Sequence, residues 1–520
     1  MVELSRTLTG FVTPADKATD DYLLLPFDVP PGLSRLTVSY EYSDAVSAAL
    51  PGGSGNVVDI GVFDPRGATV FQGQGFRGWS GSGRSEFTIG LADATPGYLP
   101  GPIYPGTWHI LLGLYHILPQ GCDYRLTITG QSGEVASPSQ EELKAPVLSR
   151  KAGWYRGDLH SHTHHSDAVG SLSDLVAAAR ARGLDFVAVT DHNTSSHLPH
   201  LAAAGGDELL LIPGQEITTY YGHANAWGIQ GWQEFRCRDD ATMARIIDAV
   251  HAAGALFSVN HPKDNGPPWE YSPDLPFDCV EAWQSLWAFN NYQSLDFWDS
   301  LLRRGRRVVA VGGSDKHVEP FTGQLSFYDI GTPTTWVYAE ELSTAGILAG
   351  IRAGHVFISA DPPGPELYLA ADADGDGLCE GMISRSNFAR PGSLRPGSGQ
   401  APDPGQKRGF GNPLGAILDP LMMGDEVIIT DGHPVMLRAQ VVGGRGLVLR
   451  IVSGQKVESI LVENNDFTHC WQARPKGDTF YRLELVEPGG GEAARDPAAM
   501  VRRALSNPIY VTTATPGRDG

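Results

Sequence analysis

Between Trp154 and Ala360 the sequence alternates short, mostly apolar runs with segments of helical period, and this alternation constrains the fold more than any other feature. LDFVAVT, LLLIPG, ALFSVN, RVVAVGG and HVFISA are the apolar runs. SLSDLVAAARARG, ATMARIIDAVHAAG, LDFWDSLLRRG and STAGILAGIRAG are amphipathic and stop at glycine. Strands that are apolar on both faces need cover on both, which calls for parallel strands under helices. The number of repeats favours an α/β barrel over a single mononucleotide-binding half.

The flanks read differently. Residues 1–145 contain YLLLPFDV, RLTVSYEY, VVDIGVF, EFTIGL, TWHILLGLYHI and DYRLTITG, separated by Gly, Pro and Asp. That is a β-sandwich pattern. GEVASPSQEELKAP, at 133–146, reads as a linker into a barrel over 150–365. Residues 366–416 read as a loop or insertion, because the run from 384 is rich in Gly, Pro and Ser and locally basic. From 417 to 515 strand patterns return in DEVIIT, VMLRAQVV, GLVLRIVSG, VESILVENN, TFYRLELVE and PIYVTT, which predicts a second β domain. A chain of 520 residues is too long for one core, so several domains are expected.

Composition narrows the function classes. The formal charge of -20 argues against nucleic acid as a partner. The five cysteines are scattered and form no C-x-x-C pair, so neither a disulfide framework nor a cysteine zinc site is expected. The N-terminal stretch lacks a basic segment followed by an apolar run, and no apolar stretch is long enough to span a membrane. A cytoplasmic protein without a membrane partner is the expectation. No G-x-S-x-G elbow, Walker A motif or G-x-G-x-x-G fingerprint is present, which disfavours a serine nucleophile or a nucleotide cofactor.

The chemistry-bearing residues sit where the apolar runs end. RGDLHSHTHHSDA supplies His160, His162 and Asp167. In a strand His160 and His162 face the same side, a ready two-nitrogen grip on a metal. VAVTDHN supplies Asp191 and His192; LLIPGQE supplies Glu216, with His223 soon after; FSVNHP supplies His261; VAVGGSDKH supplies Asp315 and His317. The C-terminal ends of parallel barrel strands share one rim, so these distant residues can meet. A lone histidine is usually an ordinary surface or hydrogen-bonded residue, and His165, His197, His200, His251, His355 and His469 read that way. Five motifs, each after an apolar run, are harder to treat so. Buried imidazoles and carboxylates need compensation, and metal ions provide it.

Other residues are candidates for catalysis or substrate contact. His223 and His317 can act as general acids if metal leaves them free. Lys263 follows the N-H-P turn and could reach an anionic oxygen, although a solvated loop lysine is the blander and slightly preferred reading. Arg156, just before the first ligand run, could neutralise acids or reach a phosphate. Tyr220 and Tyr221, between Glu216 and His223, are placed to reach substrate. In EAWQSLWAFNNYQSLDFW, Trp283 and Trp287 would stack on one helix face as core, or Trp287 or Phe289 could wall an apolar pocket. DADGDG at 372–377 begins like a calcium loop, but Ile383 replaces the required twelfth-position Glu.

On these ordered motifs the chain resembles the PHP-domain superfamily, the polymerase and histidinol phosphatase type. Within it, the chain is similar to the group of carbaryl and carbamate hydrolases over about 154–360, and SNPIYVTT at 506–513 resembles that group's C-terminal region. The resemblance implies a distorted (β/α)7 TIM-like barrel flanked by N-terminal and C-terminal β-sandwich-like domains. It implies two or three divalent or transition metal ions, of zinc, manganese or iron. By motif, His160, His162, Glu216 and Asp315 would hold one ion, and Glu216 would bridge to another held by His223 and His261. Asp167, His192 and His317 would hold the third. Some relatives have histidine at the Asp167 position, and the carboxylate here favours manganese or iron over zinc. Asp191 either orients His192 or faces the strand end.

The expected activity is metal-assisted hydrolysis of a small anionic or aryl ester. A phosphoesterase acting on a diester or monoester leads, with promiscuous triesterase action included. An aryl carbamate or carboxylic ester hydrolase is the alternative, since the same ligands suit a carbonyl substrate. A non-catalytic binding protein working through its β domains is the third class. Those domains are also candidates for gating the site or forming a homo-oligomer interface.

Overall fold

Each long helix of the central region stops where a glycine takes a left-handed conformation. Leu172–Ala181 is followed by Gly183 at φ +66°, Asp240–Ala252 by Gly254 at +76°, Asn291–Arg303 by Gly305 at +79° and Thr344–Arg352 by Gly354 at +76°. Glycine adopts this region without a Cβ penalty and turns the chain back toward the sheet. Ser171, Asp239 and Ser343 cap the N-termini of three of these helices through their side chains. The computed structural model describes residues 3–46, 55–133, 146–264, 267–326, 328–372, 421–430, 433–454, 456–489, 496 and 498–514. Residues 134–145 of the expected linker, the run expected at 384–416 and most of DADGDG lie outside the described residues.

The strands between these helices belong to one large mixed sheet. Its order runs Val309–Gly313, Cys279–Gln284, Leu256–Val259, Gly222–Trp227, Leu210–Thr219, Phe186–Val189, Gly153–Asp158, Thr334–Ala339, Val356–Ser359. Phe186–Val189, Leu256–Val259 and Val356–Ser359 are buried at every position, as runs covered on both faces must be.

The expectation of parallel strands throughout fails at two places. Gly222–Trp227 is antiparallel to both neighbours, because only Tyr220 and Tyr221 separate it from Leu210–Thr219 and so short a connection allows only a hairpin. Thr334–Ala339 is antiparallel to Gly153–Asp158 and to Val356–Ser359. Side chains join Val309–Gly313 to the far side of the sheet. Asn507 donates to the carbonyls of Ala310 (2.8 Å) and Val356 (3.0 Å) and accepts from the Ala310 amide at 2.8 Å. Thr335 Oγ1 accepts from Gly312 N at 2.8 Å and donates to Gly312 O at 2.7 Å. The result is a large mixed sheet drawn round toward a distorted barrel.

The flanks are mostly antiparallel, although Glu426–Thr430 runs parallel to Ile509–Ala514. The N-terminal region forms two four-stranded sheets whose facing sides share a core containing Val38, Ile60, Trp108 and Ile128. The C-terminal strands do not form a wholly separate unit. Arg502–Ser506 pairs with Val356–Ser359, so the large sheet continues through Thr479–Val486 and Val448–Ser453. Glu366–Ala371, expected to begin an insertion, is instead a strand beside Val435–Val442 in a separate four-stranded sheet. Cys122, Cys237 and Cys279 are free and buried, whereas Cys470 is disulfide-bonded. Among the described residues no helix is long and apolar enough to cross a membrane.

A buried ion network ties the barrel to the C-terminal strands. Arg482 donates to both oxygens of Asp299 at 2.9 and 2.8 Å and to Glu484 at 2.8 Å. Glu484 also faces Arg450 and Arg502. Burial alone would raise the Glu484 carboxyl, but the arginines, Arg482 foremost, hold it at about 2. A depressed carboxylate contributes stability that is present above its unfolded pKa and lost as pH falls through the folded value. Arg482→Ala strands Asp299 and Glu484 without their main cation and should cost about 3–5 kcal/mol in urea unfolding at neutral pH. The deficit should shrink as pH falls from about 4.5 toward 2. An unchanged midpoint at neutral pH would contradict this account.

Candidate metal centre

The ligand-bearing runs converge because their strands end on one rim. Gly153–Asp158 leads to His160, and Ser161–His162 pairs with Lys316–His317, which sets His162 opposite His317. Phe186–Val189 leads to His192, and a bridge between His192 and Glu216 holds those two residues side by side. Leu256–Val259 leads to His261, and Val309–Gly313 to Asp315. His261 and Asp315 sit at φ +29° and +53°, conformations that L-residues adopt at a cost and that cluster at functional sites.

Glu216 is the hub. Its carboxylate lies 3.3 Å from His160 Nε2, 2.7 Å from His192 Nδ1, 3.3 Å from His223 Nδ1 and 3.4 Å from His261 Nε2. Asp315 Oδ1 is 3.0 Å from His162 Nε2 and 3.3 Å from His160 Nε2. Asp167 Oδ1 is 3.1 Å from His317 Nε2 and 3.7 Å from His192 Nε2. Ligand atoms fall within 4.8 Å of one another in four overlapping groups. These are His162–Asp167–His192–His317, His160–His162–Glu216, Glu216–His223–His261 and His160–His261–Glu281. The structure thus brings together all nine side chains that the resemblance named as ligands.

The donors fit divalent cations. His160 Nε2 and Glu216 Oε2 are buried and have no hydrogen-bond partner, although each faces groups of the same cluster. A buried polar atom without a partner is costly, and an ion among these atoms removes the deficit. Burial would raise Glu216, but the imidazoles of His160, His192 and His223 override it and hold the carboxyl well below the usual range. Oxygen and imidazole donors suit zinc, manganese or iron, and their number suits two or three ions.

A supporting layer was not legible in the sequence. Glu281, in CVEAWQ, places Oε1 2.9 Å from His160 Nδ1, and its Oε2 accepts from the His261 amide at 3.0 Å. Asn260 donates to Glu216 at 2.9 Å. Asp158 accepts from the amides of His160, Ser314 and Gly331 at 3.0, 2.9 and 2.7 Å, and so fixes both ends of the rim. The one signal for Glu281 was an acid inside an otherwise apolar run. Gly313 makes room for this layer, since a Cβ there would come within 2.4 Å of His160 Cβ and 2.6 Å of Glu281 Oε1. Asp191, ambiguous in sequence, accepts from Thr163 and Ser166 at 2.7–2.8 Å and orders the loop that carries Asp167.

The remaining candidates separate. Lys263 is buried, not a solvated loop residue. Its Nζ donates to Gln284 Oε1 at 2.7 Å and to Asn291 at 3.2 Å, and Gln284 in turn donates to Asp315 at 3.0 Å. Burial pushes the Lys263 ammonium down to about 8. It lines a cavity of about 190 Å³ with His192, Glu216, His223, His261, Asp315 and others. Arg156 is committed elsewhere, donating to the carbonyls of Gly183 (2.6 Å) and Pro362 (3.1 Å). Tyr220 does not line the cavity, and its hydroxyl donates to Asp59. Trp283 lies in a strand and Trp287 precedes the helix beginning at Asn291, so no helix face stacks them; both pack in the core. Phe289 is exposed and does not line the cavity.

Residues 158–253 match the family model of the PHP domain. No curated protein matches the chain. Among solved structures it is similar to a two-domain protein from Bacteroides vulgatus containing a predicted PHP-like metal-dependent phosphoesterase. That likeness is at 15% identity, covering 67% of this chain and 95% of that one, with a TM-score of 0.34. An amidohydrolase from Chromobacterium violaceum, with bound sulfate and no metal, is similar at 15% identity over 34% of this chain and 89% of that one, with a TM-score of 0.24. Nothing in these comparisons points to the carbaryl and carbamate hydrolase group.

Glu281 belongs to one of the four overlapping groups and touches both His160 and the His261 backbone, so it bears on how those ligands are held. Glu281→Gln should weaken metal affinity about 10–100-fold in a chelator competition while the fold is retained. Wild-type affinity in that variant would show that Glu281 has no part in holding the ligands.

Proposed function

We propose that this chain is a metal-dependent phosphoesterase acting on small anionic esters. The observation that carries the reading is the convergence of nine imidazole and carboxylate side chains beside one small cavity, which six of them line together with one buried cation, Lys263. On this reading His160, His162, Glu216 and Asp315 hold one ion, Glu216, His223 and His261 a second, and Asp167, His192 and His317 a third. When bound, such ions supply Lewis acidity toward a phosphoryl oxygen and lower the pKa of water.

The chain's own residues supply the rest. Lys263 offers positive charge to a phosphate oxygen from the cavity wall, and Gln284 and Asn291 hold its ammonium in place. Gln284 also fixes Asp315. His223 and His317 are assigned as ligands, which leaves Lys263 as the preferred group for substrate charge. A dianionic ester suits this arrangement, because Glu216 and Asp315 line the wall and a cation near the substrate offsets their charge. Neither Arg156 nor Tyr220 has a substrate role here.

The test compares an aryl phosphate monoester, an aryl phosphodiester, a sugar phosphate and an aryl carbamate on metal-loaded protein. Hydrolysis of at least one phosphorus ester is expected, together with two or three ions per chain by mass spectrometry. Asp315→Ala and His160→Ala should lose metal and activity together. Lys263→Ala should keep its metal and lose about 10–100-fold in kcat/KM on the phosphate ester, in keeping with a lost charge-assisted contact of ~1.5–3 kcal/mol. Turnover of the carbamate with failure on every phosphorus ester would replace this reading with carbonyl hydrolysis. Metal-loaded protein inert toward all four would favour a binding role.

A further inference from the structure

Glu216 and His223 stand on the two strands of one hairpin. Leu210–Thr219 carries Glu216, Gly222–Trp227 carries His223, and Tyr220 and Tyr221 form the turn. The turn meets the N-terminal sandwich. Tyr220 Oη donates to Asp59 Oδ2 at 2.7 Å, and Tyr221 Oη donates to Asp21 Oδ2 at 3.0 Å. Asp59 lies on the Val57–Phe63 strand, and Asp21 lies just before the Tyr22–Val29 strand. Both acids are buried. Two consecutive turn residues are therefore held by two separate elements of another part of the chain.

The surroundings are built to fit. Tyr220 stacks on Tyr22 with ring centroids 5.4 Å apart, and Lys17 Nζ lies 4.8 Å over the Tyr220 ring. Asp21 also pairs with Lys17 at 2.8 Å and Arg238 at 3.0 Å. The Gly106–His116 strand is bare where it passes the turn. A Cβ at Gly113 would come within 2.2 Å of the Tyr220 hydroxyl and 3.2 Å of Asp59 Cβ. A hairpin turn is commonly its most mobile part. Here polar contacts and close packing hold it. Thr218 pairs with His223 and Glu216 with Asn225, so a shift at the turn is passed to both ligands through the ladder.

We propose that the N-terminal sandwich is a working part of the metal centre. Asp59 and Asp21, acting through the hydroxyls of Tyr220 and Tyr221, position Glu216 and His223 and set how tightly the Glu216–His223–His261 group retains its ion. This rests on the reading of that group as a metal site. Tyr220 and Tyr221 are positioning residues, since neither lines the cavity.

The experiment follows metal loss from intact, metal-loaded protein exposed to dipicolinate, by mass spectrometry of timed samples. The variants are Tyr220→Phe, Tyr221→Phe and the double substitution. Each keeps the ring, Asp21 retains Lys17 and Arg238, and Asp59 retains a backbone hydrogen bond at Ser82. The control is Tyr40→Phe, which removes a buried tyrosine hydrogen bond to Val58 O inside the same sandwich without touching the hairpin. The double variant should release metal about tenfold faster than wild type, with at least one ion, that assigned to Asp167, His192 and His317, kept at the wild-type rate, while Tyr40→Phe releases at the wild-type rate. Wild-type retention in the double variant, or equal loss from Tyr40→Phe, overturns the proposal and leaves the metal reading standing. Wild-type protein that takes up no metal overturns both.

Discussion

The structure turns on one buried carboxylate, Glu216, surrounded by the imidazoles of His160, His192, His223 and His261. Such a group is expensive to remove from water unless it is paired and bonded. The neighbouring groups address that cost at several levels. Asn260 donates to Glu216, Glu281 orients His160, and Asp158 gathers three amides beneath the rim. Divalent ions would complete the arrangement by bringing formal positive charge among donors that otherwise face one another.

Holding this cluster explains the irregular sheet around it. A regular parallel barrel would need a helical crossover between the strands bearing Glu216 and His223. The hairpin places both ligands within a few residues of one another and carries its turn outward to the N-terminal sandwich. At the opposite side, Thr335 and Asn507 connect Val309–Gly313 to the rest of the sheet where a backbone ladder is missing. The flanking regions are thus physically engaged with the barrel. One pins a ligand hairpin, and the other supplies Asn507 and the Arg482 network.

Much of the site could be read without coordinates because His192, Glu216, His261, Asp315 and His317 each follow an apolar run by one to four residues. A strand's end is a local property, and a histidine or acid placed there is conspicuous. Glu281 and Gln284 were missed because they lie within or at the end of a strand whose other residues read as core. Lys263 looked like a loop residue, since nothing local shows that Gln284 and Asn291 enclose it. Arg156 and Tyr220 stand close to ligands in sequence, yet their side chains serve other contacts, one with the Gly183 and Pro362 carbonyls and the other with Asp59.

Sequence alone established the alternation of strands and helices, the glycines that end the helices, the β character of the flanks and the set of side chains able to bind metal. These depend on periodicity and on backbone preferences spanning a few residues. The folded chain decided which strands run antiparallel, that the C-terminal strands extend the large sheet, which polar groups orient the ligands and which candidates point elsewhere. Those outcomes depend on contacts between segments far apart in the chain, where the direction of a side chain is set by what packs against it.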